Sequence, residues 1–186
     1  RTATHAMGTE GILNALRAGI DSIEHGVYMN EESISLMKKK GVPFIPTLSA
    51  LHNILNKGVE AGIPAFAVEK TQRVKPHHLN SVRMARDAGV MVAAGTDAGT
   101  PFNEHGQNVG EMIFLVDQGY SPVDALRAGT SVAARVLGVE KDFGTVEEGK
   151  VADLVMVKGN PLEDMKALLT SVAVVMQGGK VVRNDL

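Results

Sequence analysis

The 186-residue sequence predicts an α/β fold with a small β-rich module after it. Three observations carry that expectation. Short β-like runs alternate with amphipathic helical segments as far as Gly144. Val90-Met-Val-Ala-Ala94 is an uninterrupted apolar run, as in a parallel strand covered on both faces. Beyond Gly144 the helices give way to strand-like segments and a Gly178-Gly179 turn. The divisions expected are 1–143 for the α/β part and 144–186 for the β module.

Taken in order, Thr2-Ala-Thr4 reads as a strand leading to His5, and Thr9 to Ala18 as a helix. Ile12, Leu13 and Leu16 form its apolar stripe and Gly19 stops it. Asp21 to His25 is strand-like. Asn30 then caps a helix with acids in its first turn and Lys38-Lys39-Lys40 at its end, the order that complements the helix dipole. Val42 to Thr47 is the next strand candidate. Leu48 to Lys75, with Gly58, Gly62 and Pro64, is expected to be loop with short helical pieces. Helices are expected over Pro76–Ala88, Val109–Gln118 and Ser121–Leu137, the last with Pro122 in its first turn. Val151–Val157 and Ser171–Gln177 read as strands, the second turning through glycine into Lys180–Arg183. A complete (β/α)8 barrel takes about 250 residues. Three or four strand–helix units therefore amount to half a barrel or to a small open sheet.

Composition narrows the function. Charged residues make up 22% and the net charge is −2, with no basic run beyond the lysine triplet, so no nucleic-acid face is expected. No apolar stretch approaches the roughly 20 residues of a membrane helix. The chain has no cysteine, which leaves histidine and carboxylate for any metal and is compatible with a reducing cytoplasm, the expected location. It also lacks an initiator methionine and a signal-peptide pattern, and reads as beginning partway through a longer protein.

Three positions place a metal-capable side chain where a strand gives way to a loop: His5, His25 and Asp97. At the C-terminal rim of a parallel sheet, neighbouring strands aim such side chains at a common point. Imidazole and carboxylate suit zinc, iron or manganese, and a carboxylate there can also carry a proton during hydrolysis. Asp97 among glycines equally suits a turn. His52, His77 and His78 fall in a loop and at a helix start, where solvated histidines are common.

The motifs Thr-His5-Ala-Met-Gly8, Ser-Ile-Glu-His25-Gly26 and Gly-Thr-Asp97-Ala-Gly-Thr-Pro101, in that order, resemble strands five, six and eight of the amidohydrolase superfamily. Gly144 to Val157 resembles the superfamily's C-terminal β module. The likeness runs over essentially the whole chain and is nearest to the imidazolonepropionase-like group, especially its Xaa-Pro dipeptidases (prolidases).

The resemblance implies the C-terminal half of a (β/α)8 TIM barrel, strands five to eight, followed by the β module. It implies divalent metal, foremost zinc, with two ions in the intact enzyme: His5 and His25 on one, Asp97 on the other and acting in proton transfer. A His-x-His pair and a carboxylated lysine would come from the missing N-terminal half. The implied activity is hydrolysis of dipeptides or acyl-amino acids by metal-activated hydroxide. Single-metal deaminases of the superfamily carry a glutamate where this chain has Gly8, which disfavours deamination. Tyr28 and His105, and also Arg1, are candidates for substrate contact. A cyclic amide is the alternative substrate, and a non-catalytic piece that folds by association is the alternative role. The isolated chain is expected to be inactive and to form a homo-oligomer.

Overall fold

The computed structural model describes residues 1–186. Its first layer is a three-stranded parallel sheet in the order β1 (Ala3–Ala6), β2 (Ser22–His25), β3 (Phe44–Ile45). The strands are connected by α1 (Thr9–Ala18) and α2 (Glu31–Lys40). Both helices follow their local signals. Gly19 and Gly41 close them in left-handed conformation, and Asn30 forms a reciprocal capping box with Ser33. Ile12, Leu16, Ile23, Met37 and Phe44, all with no more than 0% exposure, bind these helices to one face of the sheet.

The expected strand over Val42–Thr47 shrinks to two residues. Pro43 and Pro46 flank it and have no N–H to give to a ladder. The apolar run Val90–Ala94 lies alongside, yet it forms a single parallel bridge, Phe44 to Val92, through Phe44 N–H to Met91 O at 2.8 Å and Ala93 N–H to Phe44 O at 3.0 Å.

The larger correction concerns Leu48 to Lys75. It is helical: α3 (Leu48–Lys57), a 3-10 turn (Val59–Ala61), and then α4 (Ala65–Ala88), which runs straight through Pro76. Seven of the eleven residues before that proline are good helix formers, and they outweigh the one N–H it lacks. The expected helix over Ser121–Leu137 divides at Thr130 into α6 (Pro122–Gly129) and α7 (Ser131–Leu137), after α5 (Val109–Asp117). The division lets Gly129 approach Met112 of α5 so closely that an added Cβ would lie 2.5 Å from its sulfur.

The C-terminal sheet is antiparallel, in the order β4 (Leu154–Val157), β5 (Val172–Gln177), β6 (Lys180–Asn184). Gly178 and Gly179, at φ 56° and 80°, make the two-residue turn closed by the Gln177–Lys180 pair. The short helix α8 (Ala167–Thr170) and the preceding loop connect β4 to β5, and buried Met165 joins that connection to the main core. No helix is long and apolar enough to cross a membrane.

Candidate active site

The parallel register brings the first two histidines together. Ala6 pairs with His25 and His5 with Glu24 at the C-terminal ends of β1 and β2. The His5 and His25 rings lie 4.3 Å apart between centroids, edge to face at 64°. Both line a cavity of about 280 Å³ with Asp97, which enters from the loop after the Val90–Ala94 run.

Backbone strain concentrates here. Four non-glycine residues have positive φ: His25 (69°), Thr47 (55°), Asp97 (56°) and Phe102 (59°). Side chains in this region are costly to hold unless their surroundings fix them. Gly26 N–H bonds to Ala6 O at 3.1 Å, turning the chain away from β2 immediately after His25. At Gly26 a Cβ would meet Met29 and Phe44 at 2.3 and 2.6 Å, so only glycine fits. Behind Asp97, the amide of buried Asn103 donates to Asp97 O and Thr100 Oγ1, both at 3.1 Å.

The His25 ring is oriented by Thr47. Its Nδ1 lies 2.7 Å from Thr47 Oγ1, and that hydroxyl donates its single proton to Pro46 O at 2.6 Å. The hydroxyl must therefore accept from His25 Nδ1–H, and this network assigns the lone pair to Nε2. Burial lowers the His25 pKa from its ordinary value, the neighbouring His5 lowers it further, and Asp97 opposes both. Burial raises that of Glu24; the Ser22 hydroxyl, donating at 2.6 Å, lowers it, and Asp97 raises it.

Because Thr47 is committed to His25, it makes no side-chain cap for α3. Glu111 of α5 caps that helix instead. Its carboxylate accepts from Leu48 N–H (2.7 Å), Ser49 N–H (2.8 Å) and Ser49 Oγ (2.7 Å). Burial pushes the Glu111 pKa up to about 7, against those hydrogen bonds.

His78, expected as a solvated histidine at a helix start, is wholly buried. The upstream extension of α4 moves it to the helix interior, in line with Thr71, Val82 and Ala85 on the buried face. The ring lies near the carbonyls of Pro46 and His25 without hydrogen-bond geometry to either. Burial first, then His25, pushes its pKa down to about 4. His52 stacks on Phe114 and His77 on Tyr28.

Tyr28 is 38% exposed, and its backbone is held by Met7 O and by the Thr9 hydroxyl. His105 is exposed in the loop beyond Asp97, and neither residue lines the cavity. Arg1 is corrected: it precedes β1, away from the strand ends that carry the histidines, and its guanidinium is held by Arg135 O and by Val136 O at 2.8 Å.

Two imidazoles, one with a free Nε2, and a carboxylate facing one cavity form a nitrogen and oxygen donor set that fits a zinc-like cation. No three histidine, aspartate or glutamate side chains lie close enough together to enclose an ion between them. The residues present thus supply part of a coordination set.

The chain is 34% identical over 183 residues to the ochratoxinase of Aspergillus niger, covering 96% of this chain and 37% of that one. It is 31% identical over 115 residues to the imidazolonepropionase of Legionella pneumophila, covering 61% and 27% respectively. Among solved structures, a Xaa-Pro dipeptidase with bound methionine in the active site superimposes with a TM-score of 0.88 at 37% identity, over 98% of this chain and 44% of that one. The chain spans less than half the length of each. The model of the amidohydrolase family matches residues 1–182, and the chain belongs to that family.

Proposed function

We propose that this chain is the C-terminal half of a (β/α)8 metal-dependent amidohydrolase that cleaves the amide bond of a dipeptide or acyl-amino acid. The observation that carries the reading is the 4.3 Å pairing of His5 and His25 on a cavity wall shared with Asp97. Residues 1–143 supply the last four strand–helix units of the barrel and residues 144–186 the β module. The N-terminal half supplies the remaining ligands.

In this reading His5 and His25, the latter through its free Nε2, would hold one zinc ion, and Asp97 would serve the second. The bound ions supply polarisation of the scissile carbonyl and acidification of water. The Asp97 carboxylate takes the proton of the attacking water and delivers it to the leaving nitrogen as the C–N bond breaks, giving a carboxylate and an amine. Thr47 holds His25 in the tautomer that keeps Nε2 available. Glu24 lines a second cavity with Ala3, Ser22 and Ile45 and feels the charge of Asp97. Tyr28 and His105 are proposed to meet the part of the substrate that extends beyond the cavity.

The test is an assay of the full-length enzyme on Xaa-Pro dipeptides, acyl-amino acids and cyclic amides, before and after chelation. Hydrolysis of the open-chain amides, lost with chelator and restored by zinc, is the expected result. Turnover of cyclic amides alone replaces the substrate class with that of the imidazolonepropionase relative. Open-chain hydrolysis that survives chelation overturns the metal-dependent reading.

A further inference from the structure

The cavity that holds the two histidines has a second wall, formed by α3 and the first half of α4. Leu51 and Ile54 of α3 face it, and so do Phe66, Lys70 and Val74 of α4. The spacing 66, 70, 74 places the last three on one helical stripe. That stripe is apolar at both ends and cationic in the middle. Lys70 is the only lysine or arginine on the cavity wall. The ion pairs of the chain occupy Arg17, Arg86, Arg127, Lys150 and Arg183, and leave Lys70 unpaired. Phe66 exposes 72% of its surface beside it.

Lys70 is exposed, so its ammonium stays hydrated at the cavity rim while its flexible stem lies beside the apolar side chains of the wall, a point charge within reach of an anion bound in the cavity. We propose that Lys70 recognises the free carboxylate of the substrate's C-terminal residue, while Leu51, Ile54, Phe66 and Val74 receive that residue's apolar side chain. The substrate class is thereby narrowed to acyl-amino acids and dipeptides that end in an apolar residue with an unblocked carboxylate. This assignment rests on the amide-hydrolase reading of the site.

The test compares kcat/KM of the metal-loaded full-length enzyme on an acyl-leucine and on the same compound blocked as its N-methylamide. The free acid is expected to be favoured by about tenfold or more, the range of a charge-assisted contact. In Lys70→Met the ratio is expected to fall toward one, mainly through a higher KM for the acid, and in Lys70→Arg to be largely retained. Equal ratios in wild type and Lys70→Met overturn the Lys70 assignment and leave amide hydrolysis standing. An enzyme that cleaves neither compound overturns both. Circular dichroism and metal content of the variants, expected to match wild type, separate recognition from misfolding.

Discussion

The strands of the antiparallel sheet are more apolar than those of the parallel sheet, yet they are less deeply buried. Ile23 and Phe44, in β2 and β3, are each 0% exposed, whereas Val155, Met156 and Val182, in β4 and β6, are 59%, 55% and 55% exposed. In the parallel sheet the crossovers bring their own cover, and buried side chains of α1, α2 and α4 share one core with those of β2 and β3. The antiparallel hairpins bring none, and only the Met165–Thr170 connection packs against one side of β5, where Ala173 is buried. Apolar periodicity thus specifies a strand without specifying what covers it.

The largest effect that sharpens this contrast is expected in the parallel sheet. Phe44→Ala should cost about 3–5 kcal/mol of unfolding free energy in urea titration, as for other buried aromatic truncations. A loss below 1 kcal/mol would show that the core does not depend on β3.

A pH effect of similar size is expected where α5 meets α3. The folded-state pKa of Glu111 is raised from 4.5 to about 7, so its neutral form is favoured by folding. Its contribution is fully present below the unfolded pKa and is lost as pH rises through the folded one. Stability should therefore fall between about pH 4.5 and 7 by on the order of 3 kcal/mol, and level off above. Glu111→Gln should flatten that part of the profile, and a slope unchanged in the variant would contradict the assignment.

A smaller effect is expected at the site itself. Thr47→Val should cost about 1 kcal/mol, the worth of one buried hydrogen bond. It should also change the His25 ring from a single Nδ1–H tautomer to a mixture, read from ring ¹⁵N shifts, while Thr47→Ser keeps the single form. A ring in the Nε2–H form in wild type would contradict the orientation derived for His25.

The smallest effect belongs to the antiparallel sheet. Val155→Thr with Val182→Thr should change the stability of the isolated 186-residue chain by less than about 0.5 kcal/mol, the usual range for exposed positions. The same pair should weaken self-association of that chain in light scattering, since an uncovered apolar face invites a second copy. A wild-type chain that stays monomeric at high concentration would contradict the association.

These regions also differ in how far they could be read from the sequence. The helices α1 and α2 were legible to the residue because their stop and cap signals are local: Gly19, Asn30 and Gly41. The helix α3 was not, because its N-terminal N–H groups are satisfied by Glu111, more than sixty residues away, while Thr47 serves His25. The upstream half of α4 was hidden by Pro76, a local breaker overridden by its neighbours. At the candidate site, strand-end position and motif order were enough to single out His5, His25 and Asp97. The wall facing them lies in the segment expected to be loop, so Lys70 and Phe66 became visible only once α3 and α4 were placed. Thr47 and His78 touch the site through packing across 22 and 53 positions of sequence, a relation that no local pattern encodes.

The most direct measurement is the zinc content of the full-length enzyme by elemental analysis, wild type beside His5→Ala, His25→Ala and Asp97→Asn. Wild type is expected to carry two ions per chain and each histidine variant to lose at least one, with amide hydrolysis falling by several orders of magnitude. Full zinc occupancy and undiminished turnover in His25→Ala would contradict the metal-binding role proposed for the paired imidazoles.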